Sequence, residues 1–218
     1  MKPWVELARV RPAGTGELSL HRRDRELSIR VDGHELMSNR CHGSEESLAT
    51  LGCAAQRDAR VVVGGLGLGF TLAAALAALG PDGRVVVAEI SDVLVEWNRT
   101  LVGPAAAAAL ADPRVELVIG DVAAVIARGD FDAILLDVDN SPHALTRPGN
   151  ASLYSPRGLA RAHAALRPRG RLAVWSAVAV PAFVRQLTAA GFASARAHTV
   201  PARGAAGGTR HTIFVAQR

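Results

Sequence analysis

A chain of 218 residues, 49% hydrophobic and carrying a net charge of +5, has ample material for a sizeable core and fits one large domain or a domain with a small appendage. No stretch approaches the roughly 18 uninterrupted apolar residues of a membrane span, and Met1-Lys-Pro-Trp-Val-Glu6 lacks the apolar region of a signal peptide, so a cytoplasmic protein without a membrane partner is expected. Lys2 is the only lysine, and the arginines are scattered without interleaved aromatics, which speaks for a solvated exterior rather than a nucleic-acid surface. Cys41 and Cys53 make neither a C-x-x-C pair nor a disulfide framework.

In chain order, Glu17–Arg22 and Glu26–Val31 alternate apolar and polar, the strand period. Asp32-Gly33 signals a hairpin turn, with His34–Met37 returning. Residues 1–40 are therefore read as a small antiparallel β-hairpin unit, and residues 41–218 as the main domain. Ser44–Leu51 predicts a short helix with Ser44 as N-cap and Glu45 and Glu46 suiting the helix dipole. From about residue 58 the pattern alternates. Apolar strand cores fall at 61–63, 85–88, 115–119, 133–136 and 172–175, and helical stretches at 68–79, 92–101, 104–111, 121–128, 156–166 and 181–190. Short apolar strands between helices predict a mostly parallel sheet covered on both faces, a doubly wound α/β architecture. Thr209–Ala216 reads as a last strand, and the loop 201–208 before it as mobile.

The stretch Val61-Val-Val-Gly-Gly-Leu-Gly-Leu-Gly69 carries the chemistry. Three valines predict a buried strand; Gly64, Gly65, Gly67 and Gly69 allow a tight turn and close approach of a ligand to the backbone. The helix that follows offers its first N–H groups to that ligand. Glu89, 20 residues beyond Gly69 and at the end of the next strand, suits the hydroxyls of a ribose, with Ile90 beside it. The glycine spacing is G-x-G-x-G and misses the G-x-G-x-x-G dinucleotide pattern, which points to an adenosyl cofactor such as S-adenosylmethionine rather than to a nicotinamide. Asp121 and Val122 follow the next strand. Asp121 suits an adenine amino group, an N-cap role, or both. Asp137 ends the strand Phe131–Asp137; a carboxylate partly stripped of water there can have its pKa raised toward that of a useful base. Asp139 and His143 follow as further candidate catalytic groups, with turn-making and loop exposure as their plainer roles. No metal is expected, because the next strand end, Val174-Trp-Ser-Ala, is neutral. The irregular segment 141–154 is read as a lid over the acceptor.

These residues, together with Asp112–Asp121, Leu153–Leu159 and Leu166–Ser176, resemble in order and spacing the spermidine/spermine synthases over roughly residues 17–176. The resemblance implies a seven-stranded Rossmann-like sheet of the class I methyltransferase type with a small N-terminal antiparallel β unit. It also implies a homodimer, and an adenosyl co-substrate held by Glu89 and Asp121 with Asp137 as the first acid of the catalytic loop. The chain departs from the family at three places. Gly67 stands where the polyamine synthases carry an aspartate, the loop reads Asp137-Val-Asp-Asn140, and Ser44-Glu45-Glu46 replaces a Tyr-His-Glu segment. With these diamine-holding groups altered, methyl transfer from S-adenosylmethionine to a small-molecule acceptor is favoured over aminopropyl transfer from its decarboxylated form. A true polyamine aminopropyltransferase and a catalytically silent relative are the alternatives.

Overall fold

In the computed structural model, residues 2–11, 16–53, 57–138 and 151–218 are described. The chain opens with four strands, β1 (Val5–Val10), β2 (Leu18–Arg23), β3 (Glu26–Val31) and β4 (His34–Ser38), then α1 (Gly43–Cys53). The main alternation follows as β5 (Arg60–Gly64), α2 (Phe70–Ala78), β6 (Arg84–Glu89), α3 (Asp92–Thr100), α4 (Pro104–Ala111), β7 (Val115–Ile119), α5 (Val122–Ile126) and β8 (Phe131–Leu136). It closes with α6 (Ala151–Tyr154), α7 (Pro156–Ala165), β9 (Leu166–Ser176), α8 (Pro181–Ala189), β10 (Ser194–Pro201) and β11 (Arg210–Gln217).

The strands β5 to β11 form one sheet in the order β10-β11-β9-β8-β5-β6-β7. Pairing is parallel from β9 to β7, while β11 runs antiparallel to both β9 and β10. The expected seven-stranded, mostly parallel, doubly wound sheet is present. Its central strands are valine- and leucine-rich because both faces are covered. Val62, Val86, Ile134 and Val174 pack on one side, and Val61, Val63, Val87, Leu135 and Ala173 on the other. The order of strands switches between β5 and β8, which are parallel neighbours, and in such sheets ligands sit in the crevice beyond the strand ends at this point.

The first four strands make a separate antiparallel sheet in the order β1-β2-β3-β4. Sequence reading finds three of them and misses β1, whose side chains are mostly exposed or half-buried and give no clean alternation. The inner face of this sheet, Leu18, Leu20, Leu27 and Ile29, buries Leu68 from the glycine turn and Leu94 and Trp97 from α3. The antiparallel sheet therefore sits against the glycine turn and α3.

Several boundaries move. α1 begins at Gly43, so Ser44 lies inside the first turn and does not cap it. α2 begins at Phe70 rather than 68, because Gly69 at φ 84 closes a turn, its N–H donating to Leu66 O at 2.7 Å. α5 ends at Ile126, and Leu166 begins β9 rather than ending a helix. The segment 201–208, expected to be mobile, carries a 3-10 turn at Gly204–Ala206 and is docked on α1: the Gly43 N–H donates to Ala202 O at 2.8 Å.

Candidate functional site

The site is assembled at the switch point. Gly64 ends β5, and its carbonyl accepts from the Asp137 N–H at 2.9 Å, while the Gly65 N–H donates to Ala88 O at 2.9 Å. These two bonds tie the glycine turn to the ends of β8 and β6. Gly65, Gly67 and Gly69 have φ of 91°, 52° and 84°, a region that side chains strain. Gly65 is doubly constrained, since a Cβ there would stand 2.3 Å from the Asp137 carbonyl oxygen. The turn lies this close to β8 only because residue 65 has no side chain.

Glu89 is 6% exposed. Its Oε2 accepts from the Leu66 N–H at 2.9 Å and its Oε1 from the Ser91 N–H at 2.8 Å. Two backbone amides thus fix the carboxylate at the mouth of the crevice, and each oxygen retains a further lone pair for a diol. Ile90, next along, is 56% exposed despite being fully apolar, as is Ile119 at the end of β7. Sequence reading singled out the first and missed the second. Asp121 caps α5, accepting from the Ala123 N–H at 2.8 Å, and is exposed. Val122, named beside Asp121 as a cofactor contact, turns its side chain away from the surface. It is 5% exposed and packs into the core beneath Gly64, because the helix that Asp121 caps turns that face inward. Only its backbone amide is left for a ligand.

Asp137 is half-buried at the end of β8, and its Oδ2 accepts from the Thr71 hydroxyl at 2.7 Å. Loss of hydration pushes its pKa up to about 6, against the Thr71 bond, which pulls it down. Asp139 and His143 lie outside the described residues.

A second acid joins Asp137, one that the sequence reading placed in the altered Tyr-His-Glu segment but gave no site role. Glu45 is 7% exposed in the first turn of α1; burial first, and repulsion from Asp137 second, push its pKa up to about 7. The fold makes this neighbourhood in three ways. His42, just before α1, stacks on Phe70 at the start of α2 with ring centroids 4.2 Å apart. Gly43 lets the helix start press on the 201–208 turn, where a Cβ would meet Gly204 N at 2.1 Å. Gly52 lets the rest of the helix lie against Leu135 of β8. Glu45 in turn accepts from the Ser44 hydroxyl at 2.5 Å, and Ser44 Oγ lies 2.9 Å from Nδ1 of His211 on β11. Helical periodicity gives only the dipole role for Glu45; Asp137, which repels it, and His211, 167 positions from Ser44, are distant in sequence and leave no local signal.

The last feature is at Gly67. A Cβ there would meet Met37 Sδ at 2.6 Å and Cε at 2.7 Å, so a thioether from β4 fills the space a side chain at 67 would take. The Gly67 carbonyl is held from behind by Asn98 Nδ2 at 2.7 Å.

Against solved structures, the chain matches a spermidine synthase from Thermotoga maritima with a TM-score of 0.77 at 18% identity, over 97% of this chain and 72% of that one. The chain has a spermidine synthase-like fold. A spermidine synthase in complex with the transition-state analogue AdoDATO matches with a TM-score of 0.75 at 16% identity, again over 97% and 72% of the two chains. No family model and no curated protein matches.

Proposed function

We propose that this spermidine synthase-like protein is an alkyltransferase that moves a carbon group from an adenosyl sulfonium to a small amine. The observation that carries this reading is the pair Glu45 and Asp137, one buried and one half-buried carboxyl that repel each other, with Asp137 tied to the glycine turn. A site that draws two carboxyls together favours a cation that relieves their repulsion, and a protonated amine is such a cation. The nucleoside half of the donor fits the other features. The ribose meets Glu89, the purine lies on the exposed Ile90 and Ile119, and its amino group reaches Asp121. The protein's own residues then contribute orientation: displacement at carbon needs the acceptor nitrogen in line with the S–C bond.

The group that moves is decided at the tail of the donor. With Gly67 bare and Met37 over it, no carboxylate stands at that position to pair with the terminal ammonium of a decarboxylated donor. This favours methyl transfer from S-adenosylmethionine. Aminopropyl transfer is the second reading, supported by the acid pair, which suits a diamine, and by the shared fold. The test is calorimetry with S-adenosylhomocysteine, methylthioadenosine and decarboxylated S-adenosylmethionine. Preference for the first supports methyl transfer, and preference for the last supports aminopropyl transfer. Failure of all three to bind refutes the transferase reading. We also propose that the protein works as a homodimer.

A further inference from the structure

We propose that Glu45 is the group that takes the proton from the incoming amine, and that Ser44 and His211 lead that proton away from the site. This rests on the alkyltransferase reading and specifies its base. Ser44 Oγ stands between a carboxyl and an imidazole, 2.5 Å from Glu45 Oε2 and 2.9 Å from His211 Nδ1. A hydroxyl carries a single proton, so the direction of this chain depends on the state of Glu45. With Glu45 ionised, Ser44 donates to Glu45 and His211 Nδ1–H donates to Ser44. With Glu45 protonated, Glu45 donates to Ser44 and Ser44 donates to a bare Nδ1, which puts the imidazole proton on Nε2. Uptake of a proton at Glu45 is thereby transmitted to His211. The Trp175 indole and the His211 ring pack edge to face with centroids 4.8 Å apart. Burial lowers the His211 pKa, so the ring is a conduit and does not retain the charge.

Asp137 has the complementary part. The Thr71 hydroxyl pins its Oδ2, and among the described residues no hydroxyl–imidazole chain leads away from that oxygen, so its part is to orient the amine. Among the described residues, the other charged groups around α1 have partners of their own, and Glu46 adds only a small further push to the Glu45 pKa. Glu46, on the same helix, is engaged by His42 Nδ1 at 2.8 Å. Arg171 of β9 donates to Leu51 O at the other end of α1, and Arg203 faces Cys41. α2 contributes only the uncharged Thr71.

The bookkeeping of the step is complete without another reactant. The amine arrives as an ammonium and gives one proton to Glu45, which frees its lone pair. That pair forms the new C–N bond as the S–C pair leaves on sulfur. The sulfonium becomes a neutral thioether and the product nitrogen an ammonium.

The relay is read without turnover, by NMR of the full chain between pH 5 and 9. The carboxyl carbon of Glu45 and the ring nitrogens of His211 are followed, with His211→Gln assigning the latter. We expect the His211 tautomer to switch from Nε2–H to Nδ1–H at the pH where Glu45 ionises. Ser44→Ala should abolish the switch, with Ser44→Cys as the milder change, and Asp137→Asn should lower the Glu45 midpoint. A Glu45 midpoint in the ordinary carboxylate range, or a His211 tautomer that stays constant while Glu45 titrates, overturns the proposal. Once an amine substrate is in hand, Glu45→Gln should lower kcat by about 100-fold or more with little change in donor KM, and Glu45→Asp should restore part of it. If the nucleosides fail to bind while the coupled titration is seen, the alkyltransferase reading falls; if they bind and the coupling is absent, only the relay falls.

Discussion

Glu45 and Asp137 are two acids whose folded-state pKa values lie above their unfolded ones. Such groups stabilise the fold relative to its ionised form at low pH, and that contribution is lost as pH rises through the folded values, here about 6 to 7. Glu45→Gln removes the charge and keeps the shape. It should raise stability at pH 8 by on the order of 2 kcal/mol and have little effect at pH 4, read as urea midpoints at the two pH values. Gly65→Ala should go the other way. Its φ of 91° strains a side chain and its Cβ would collide with a backbone oxygen, so a loss of at least about 2 kcal/mol is expected, with nucleoside binding lost in calorimetry. Gly67 allows a gain-of-preference test. The double change Gly67→Asp, Met37→Ala clears the thioether and installs an anion, and should shift binding toward decarboxylated S-adenosylmethionine by about tenfold, the effect of roughly 1.4 kcal/mol.

α1 is the element on which the site depends most. Its first turn is clamped by a backbone bond from Gly43 to Ala202 and by the absence of a side chain at 43. Gly43→Ala must push α1 off the 201–208 turn. Both a lowered melting temperature and a fall of the Glu45 NMR midpoint toward the usual carboxylate range are expected. This helix also shows where sequence reading stops. β5, the glycine turn, β6 ending in Glu89 and β8 leading into Asp137 are legible because strand period and local spacing alone set their positions. Glu45 is not, because its neighbours are supplied by β8, α2 and β11, and a ring stack and two tight glycine approaches bring them in. Ser44 misleads for a related reason: a serine beside two glutamates has the pattern of a cap, yet its hydroxyl is used by Glu45 and His211. β1 escapes because an edge strand with Val5 57% exposed has no buried face to give it a period.

At the scale of the whole molecule, the antiparallel sheet and the parallel sheet are joined through a third core of their own. Trp97 is 6% exposed there, packed among residues of β2, β3 and the glycine turn. Trp97→Ala should cost about 3–5 kcal/mol, measured by chemical denaturation, and should loosen Met37 over Gly67 at the same time. The main sheet reads from sequence because its strands are buried on both faces, while the seating of the small sheet on α3 rests on long-range packing that no local period encodes. The paired acids of α1 and the β8 end have a further consequence. Two carboxyls held together above neutrality leave the native protein with unrelieved repulsion that a positively charged guest can cancel. A melting curve therefore doubles as a search tool: amines that enter the crevice should raise the transition temperature at pH 8 and have much less effect at pH 5, whereas amines that bind elsewhere should show no such contrast.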